Sequence, residues 1–484
     1  MLRRDYVIKN ETRGLNINIL YSFTSHFVTY LCAFILTPYT ARVFGSALIG
    51  QYAYVQSVVS VFSLVAALGS SLYGQRVIAE QRINPTKKKK TFWELVALRL
   101  SMVLLVGAVY VWIAVRQENS ALWLIMGLEI AGVAADITWL YQGEENFRRL
   151  AVCTALGKIV VLLGTVTFIK TNKQFLGYAL LVQGGGLLYA LIEWTGIRRR
   201  LGCIQRCHFD RKKLETHLKI CTAVFGAQAA MATYTILDKT MIGILTGSDM
   251  QVGFYEQAQK VSRFFVMLAT IAGSAVASRV SVLWAERNEK GIANLIEIAF
   301  HIVFGISVPV AFFLSMIAEW FVPAFYGTGY EEVIILLKLL AIMPLIIGCS
   351  NVIGIQYLMP VGREKAMTMS VTVGAVVNCL LNLVLIKTFE AKGAVIGSLA
   401  AETVITSIQF FSVKNTFELK KLLKILLCYI SISIPIAAVA KTAMSRVEPG
   451  LCGILSVTVI CAALYGVLWF AVVKKNLSDR MFRS

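Results

Sequence analysis

Runs of about 20 apolar residues follow one another from Leu15 to the end of the chain, separated by short polar gaps. A bilayer core about 30 Å thick takes about 20 helical residues to cross, so each run predicts one transmembrane helix. About fourteen are read, at 16–41, 47–73, 92–115, 121–141, 151–169, 175–197, 220–245, 251–278, 292–318, 332–359, 366–386, 393–413, 425–440 and 451–473. The short alternating segments of a transmembrane β-barrel are missing from the pattern. The expected fold is an all-α polytopic membrane protein.

The basic residues fall in alternate gaps. With Met1–Gly14 placed in the cytoplasm, 33 of the 47 Lys and Arg lie in segments on that side, 8 lie in loops on the other, and six lie inside helices. Such a bias sets orientation during insertion, and moving the helix count by one would destroy it. Both termini are therefore expected in the cytoplasm, with the chain in a bacterial inner membrane. The net charge of +20 then reflects topology and anionic headgroups, and no nucleic-acid partner is expected. Mean hydropathy is +0.70, and the longest polar stretch, about Arg198–Lys219, is too short for a folded domain. Met1–Arg13 is polar and charged, so no cleavable signal peptide is expected.

Little in the chain suggests covalent chemistry. Most of the ten cysteines lie singly within apolar runs, where Cys acts as a small hydrophobe. Cys203 and Cys207 share a loop with His208 and His217 at a spacing unlike zinc sites, so no metal is expected. There is no phosphate-binding loop or dinucleotide fingerprint, and Gly184–Gly186 sits inside a hydrophobic run, where close helix packing accounts for it. No cofactor and no catalytic residue are expected.

An internal repeat appears at an offset of about 200 residues. Phe44-Gly45-Ser46 through Gly50-Gln51-Tyr52 matches Thr246-Gly247-Ser248 through Gly253-Phe254-Tyr255. Ala79-Glu80-Gln81-Arg82 matches Ala285-Glu286-Arg287-Asn288, and Gln142-Gly143-Glu144 matches Pro360-Val361-Gly362-Arg363-Glu364. The repeat joins helices 1–6 to helices 7–12, which predicts parallel lobes related by a pseudo-two-fold axis along the membrane normal. The expected division is an N-terminal lobe at 1–197, a basic linker at 198–219, a C-terminal lobe at 220–413, and two extra helices with a tail at 414–484. A cavity between such lobes opens alternately to either side.

Four stretches carry a resemblance to a known family: Arg42-Val43-Phe44-Gly45 through Tyr52; Trp139-Leu140-Tyr141-Gln142-Gly143 with Glu145 and Phe147; Asp238-Lys239; and Asn378 with Asn382, Leu385-Ile386, Gly393-Ala394 and Glu402. In this order and over nearly the full length, the chain resembles the oligosaccharide flippases of the multidrug/oligosaccharidyl-lipid/polysaccharide exporter superfamily. The resemblance implies a non-enzymatic transporter that moves undecaprenyl-diphosphate-linked O-antigen, capsule or exopolysaccharide units to the periplasmic leaflet by alternating access. It also implies a polysaccharide polymerase and a chain-length regulator as partners. The alternatives are a cation-coupled multidrug or lipid II-type exporter of the same superfamily and, more remotely, a membrane-embedded polymerase or ligase, for which the external loops are short.

A charge inside a bilayer is costly unless it meets a partner or a cavity, so each one is a functional candidate. The intramembrane cations are Arg99, Lys158, Lys239, Lys260, Arg263 and Lys338, and the acids are Glu129, Asp136, Glu193, Asp238, Glu256, Glu297 and Glu402. For a diphosphate cargo, Lys239, Arg263 and Lys260 are the expected substrate cations, with Arg99 and Lys158 in the first lobe. Asp238, Asp136 and Glu256 are the expected coupling or counter-ion carboxylates. Gln228, Met231, Thr235 and Asp238 share a polar stripe on helix 7, and Asn18, Ser22, Ser25 and Thr29 form a polar row on helix 1 beside His26 and Tyr30.

Overall fold

The computed structural model describes residues 2–197, 201, 211–270, 273–414, 416–448 and 450–481; side chains are not described at 2–20, 22–23, 211, 227–228, 230–235, 274, 451 and 471–481. Cys203, Cys207 and His208 lie outside the described residues, as do the side chains of Asn18, Ser22, Gln228, Met231 and Thr235.

Among the described residues the chain is helical and contains no strand. In order the helices are α1 (Leu2–Ala67), α2 (Ser70–Glu80), α3 (Pro85–Ala114), α4 (Ser120–Met126), α5 (Leu128–Ala135), α6 (Thr138–Gly143), α7 (Phe147–Phe168) and α8 (Phe175–Trp194). They continue as α9 (Arg211–Thr246), α10 (Asp249–Thr270), α11 (Gly273–Ala285), α12 (Glu289–Tyr326), α13 (Glu331–Leu340), α14 (Met343–Ile353), α15 (Glu364–Ser412), α16 (Leu419–Met444) and α17 (Leu451–Met481). Eleven stretches among the described residues are long and apolar enough to cross a bilayer. Two of them are each bent at one residue. Gly45 (φ 73°) interrupts α1 and Glu390 (φ 52°) interrupts α15, inside the gaps 42–46 and 387–392 where the apolar pattern ends one helix and starts the next. Outward-facing Leu104, Leu105, Leu163, Phe168, Val384 and Phe411 are all more than half exposed, as befits side chains whose solvent is lipid.

The chain forms two compact units, Met1–Val252 and Gly253–Ser484. The division comes later than the repeat boundary because α9 packs into the first unit. Gly69, in the left-handed region at φ 71°, leaves room there: a β-carbon on it would lie 2.6 Å from the Cys221 carbonyl oxygen and 2.8 Å from the Phe225 nitrogen. The first unit buries Tyr73, Ile78, Phe92, Leu95, Trp139 and Tyr141 as one apolar cluster. In the second, α11, α12, α14 and α16 enclose Val280, Ile296, Phe300, Val303, Val352 and Tyr429.

Candidate functional site

The span from Ser120 to Gly143 crosses as three short helices rather than one. Asp136 closes α5 with an extended backbone (ψ 116°), and α6 starts at Thr138. A break inside an apolar layer exposes backbone groups that lipid cannot satisfy, and side chains from neighbouring helices cover them. The Ile137 N–H donates to Oε2 of Glu193 at 3.2 Å, and the Trp194 indole donates to the Ala135 carbonyl at 2.7 Å. The Asp136 carbonyl accepts from the Trp139 indole at 3.2 Å and from Arg99. Oδ1 of Asp136 accepts from the Thr138 backbone N–H at 3.0 Å, which caps the start of α6.

Arg99 is 2% exposed, and its fork is filled by protein groups. Nε donates to Ser70 Oγ at 2.8 Å, a terminal nitrogen donates to Ser71 Oγ at 2.7 Å, and both terminal nitrogens lie 3.4 Å from Asp136 Oδ2. The sequence suggested Arg99 as a diphosphate cation. In this arrangement its donors clamp the break in the helix, and Asp136 is its counter-ion.

Beside the break lies a cavity of about 230 Å³ lined by Glu129, Gly132, Asp136, Gln183, Gly186 and Tyr189, among others. Glu129 accepts from Gln56 and, at 3.2 Å, from Ser60. Gln56 in turn accepts from Gln183 at 3.0 Å. Lys239 on α9 lies within electrostatic reach of Glu129, and the next residue, Thr240, hydrogen-bonds Ser57 at 2.7 Å. Asp238 is buried while Lys239 is half-buried. Adjacent helix positions point about 100° apart, so the two cannot face one spot. Lys158 is exposed on α7, within electrostatic reach of Cys32.

In the second unit Lys260 pairs with Glu256 at 3.6 Å, one turn apart on α10, and Arg263 is exposed on the same helix. The same unit also holds buried polar groups. Gln259 donates to the Tyr255 hydroxyl at 2.8 Å, that hydroxyl lies 3.4 Å from Ser398, and Asn382 donates to Asn378 at 3.3 Å. The structure thus groups Asp136 with Arg99, Lys239 with Glu129, and Glu256 with Lys260. Glu193, Gln56 and Gln183 did not enter the expected site. Their only signal in the sequence is a polar residue within an apolar run.

The family model described as "Polysaccharide biosynthesis protein" matches residues 15–278, and the MatE model matches 223–384. A protein named "Putative O-antigen transporter" from Shigella dysenteriae is 25% identical over 401 residues, covering 82% of this chain and 99% of that one. One of the same name from Escherichia coli is 23% identical over 407 residues, covering 83% and 97%. The fold is similar to that of the lipid II flippase MurJ in an inward closed conformation, with a TM-score of 0.77 at 14% identity, covering 95% of this chain and 99% of that one. It is also similar to an inward-facing MATE-family multidrug resistance transporter, with a TM-score of 0.62 at 13% identity over 84% and 95% of the two chains.

Proposed function

Because the chain belongs to the polysaccharide biosynthesis protein family, within the multidrug/oligosaccharidyl-lipid/polysaccharide exporter superfamily, we propose that it is an O-antigen-type flippase. It moves undecaprenyl-diphosphate-linked oligosaccharide units across the membrane by alternating access and makes or breaks no covalent bond. The observation that carries this reading is the match to the two O-antigen transporters over nearly their full length. The physical chemistry agrees with it. A sugar block needs a polar path through lipid, and charged side chains such as Lys239, Lys260 and Arg263 persist in a bilayer where they serve such a path. On this reading those three meet the diphosphate, Asp238 and Glu256 are their counter-ions, and Lys158 serves the first lobe. The proposal includes fourteen helices in two six-helix lobes plus a C-terminal pair, both ends in the cytoplasm of the inner membrane, and a polymerase and chain-length regulator downstream.

The test is deletion in the native host. Loss of surface polysaccharide, with lipid-linked repeat units accumulating on the cytoplasmic leaflet, is expected, and the intact gene should restore export. Unchanged polysaccharide together with new sensitivity to cationic drugs would favour the multidrug alternative instead.

A further inference from the structure

Close helix packing accounts for Gly185 but not for its neighbour Gly186. A β-carbon on Gly185 would strike the Val161 side chain, so that glycine lets α8 close on α7. A β-carbon on Gly186 would meet nothing within 4 Å, and one on Gly132 of α5 would meet only a Leu187 methyl at 3.8 Å. Glycine inside a helix destabilises it relative to alanine, and no packing contact compensates at these two. Both line the cavity of about 230 Å³ between α5 and α8, where they leave bare backbone.

Polar groups stand at the two ends of that cavity. Glu129 and Asp136 are two helical turns apart, about 10 Å along α5. Gln56 bonds both Glu129 and Gln183, and Thr138 bonds both Asp136 and Tyr189, so the four lining residues pair off at opposite ends. Gln183 is 8% exposed; its amide nitrogen is used on Gln56 and Met126, while its oxygen accepts no hydrogen bond among the described residues. Oδ2 of Asp136 has only the 3.4 Å contacts from Arg99. Each carboxylate on the wall already faces a cation, Arg99 for Asp136 and Lys239 for Glu129. Glu193 is close to Asp136 and Arg149 reaches the Glu193 carbonyl, but neither residue lines the cavity. The wall therefore presents oxygen acceptors whose charge is already answered, and an uncharged guest rich in donors suits it.

We propose that this cavity is a subsite for one neutral, hydroxyl-rich sugar ring of the cargo. Its hydroxyls donate to Glu129 and Gln183 at one end and to Asp136 at the other, over the bare backbone of Gly132 and Gly186. At about 30 Å³ per water the volume equals roughly eight waters, enough for one ring and too little for a whole repeat unit. An acidic sugar would meet two carboxylates. A ring lacking the hydroxyls would leave buried acceptors unpaired, which is how a site built for hydroxyls rejects analogues. The assignment rests on the flippase reading.

The experiment uses the full-length protein in phospholipid vesicles, with the ten native cysteines replaced and Val133→Cys as a thiol reporter on the cavity wall. Lipid-linked repeat units extracted from the host should slow its modification by a small methanethiosulfonate. The slowing should be about tenfold at a concentration near ten times their dissociation constant. Undecaprenyl diphosphate carrying no sugar should leave the rate unchanged. Gly186→Leu fills the cavity without a β-carbon clash, so it should accumulate normally, lose the protection and lose surface polysaccharide in cells. Gln183→Leu removes the amide oxygen at similar volume and should weaken both; it decides the matter if Gly186→Leu does not accumulate. Equal protection by the bare lipid diphosphate, no protection by the repeat units, or a thiol that the reagent never reaches overturns the subsite. So does full export by Gly186→Leu at normal abundance, or a host repeat unit made wholly of acidic sugars. If deleting the gene still abolishes export while the repeat units give no protection, the subsite alone falls. If polysaccharide persists on deletion and tetraphenylphosphonium protects the thiol instead, the flippase reading falls with it.

Discussion

The hydroxyls of Ser57 and Thr240 meet at 2.7 Å across α1 and α9. Three residues along α9, a β-carbon on Gly243 would sit 2.4 Å from the Tyr54 ring. Polar contact and steric contact thus hold the same seam, and their magnitudes differ. Hydrogen bonds between membrane helices average about 0.6 kcal/mol, whereas forcing extra atoms into a packed site costs about 1–3 kcal/mol. Thr240→Val should lower the thermal midpoint of the purified protein slightly. Gly243→Val should lower it several times as much. Equal shifts would mean that packing does not dominate the seam.

Arg99 and Asp136 form a clamp whose halves are worth little alone. Breaking a buried ion pair by removing one partner costs about 3–5 kcal/mol, because the remaining charge is stranded. Asp136→Asn should sharply reduce accumulation in the membrane because it strands the buried Arg99 charge, with a smaller loss for Arg99→Met because the Asp136 carboxylate it leaves is partly exposed. Their double mutant should be more stable than Asp136→Asn alone, a non-additivity that a thermal-unfolding cycle measures. Additive effects would dissolve the clamp.

Arg263 tests the diphosphate role. Arg263→Ala should abolish surface polysaccharide while the protein inserts and accumulates normally. Arg263→Lys should restore part of it, because the charge survives and the planar fork does not. Full export by Arg263→Ala at normal abundance removes Arg263 from the site.

Topology is checked by thiol labelling in a variant stripped of the ten native cysteines, since Cys452 is exposed. Ser248→Cys and Thr328→Cys should label in intact cells. Lys89→Cys and Lys212→Cys should label only after permeabilisation. Labelling of Lys89→Cys in intact cells would invert or break the fourteen-helix arrangement.

The fold was legible because lipid imposes one long-wavelength rule, helices of bilayer length, and that rule survives crude reading. The breaks at Gly45 and Glu390 fall in the gaps of the apolar pattern, and the Glu256–Lys260 pair follows from their spacing. The joint at Asp136 was not legible. No Pro or Gly marks it, and what makes it tolerable comes from Arg99, Glu193 and Trp194 on other helices. Single-helix periodicity carries no information about such cover. For the same reason Arg99, an isolated charge in the sequence, looked available to a substrate when its donors were already committed.

Gly69 gives the first unit a built-in point of leverage. Its missing side chain is the clearance through which α9 rests on the turn between α1 and α2. A single methyl group at that position is therefore a doorstop. Gly69→Ala would hold the turn away from α9 in every molecule, and spin labels on the two segments would read the displaced distance. A protein caught in that propped state would show which step of its cycle needs those two backbones to touch.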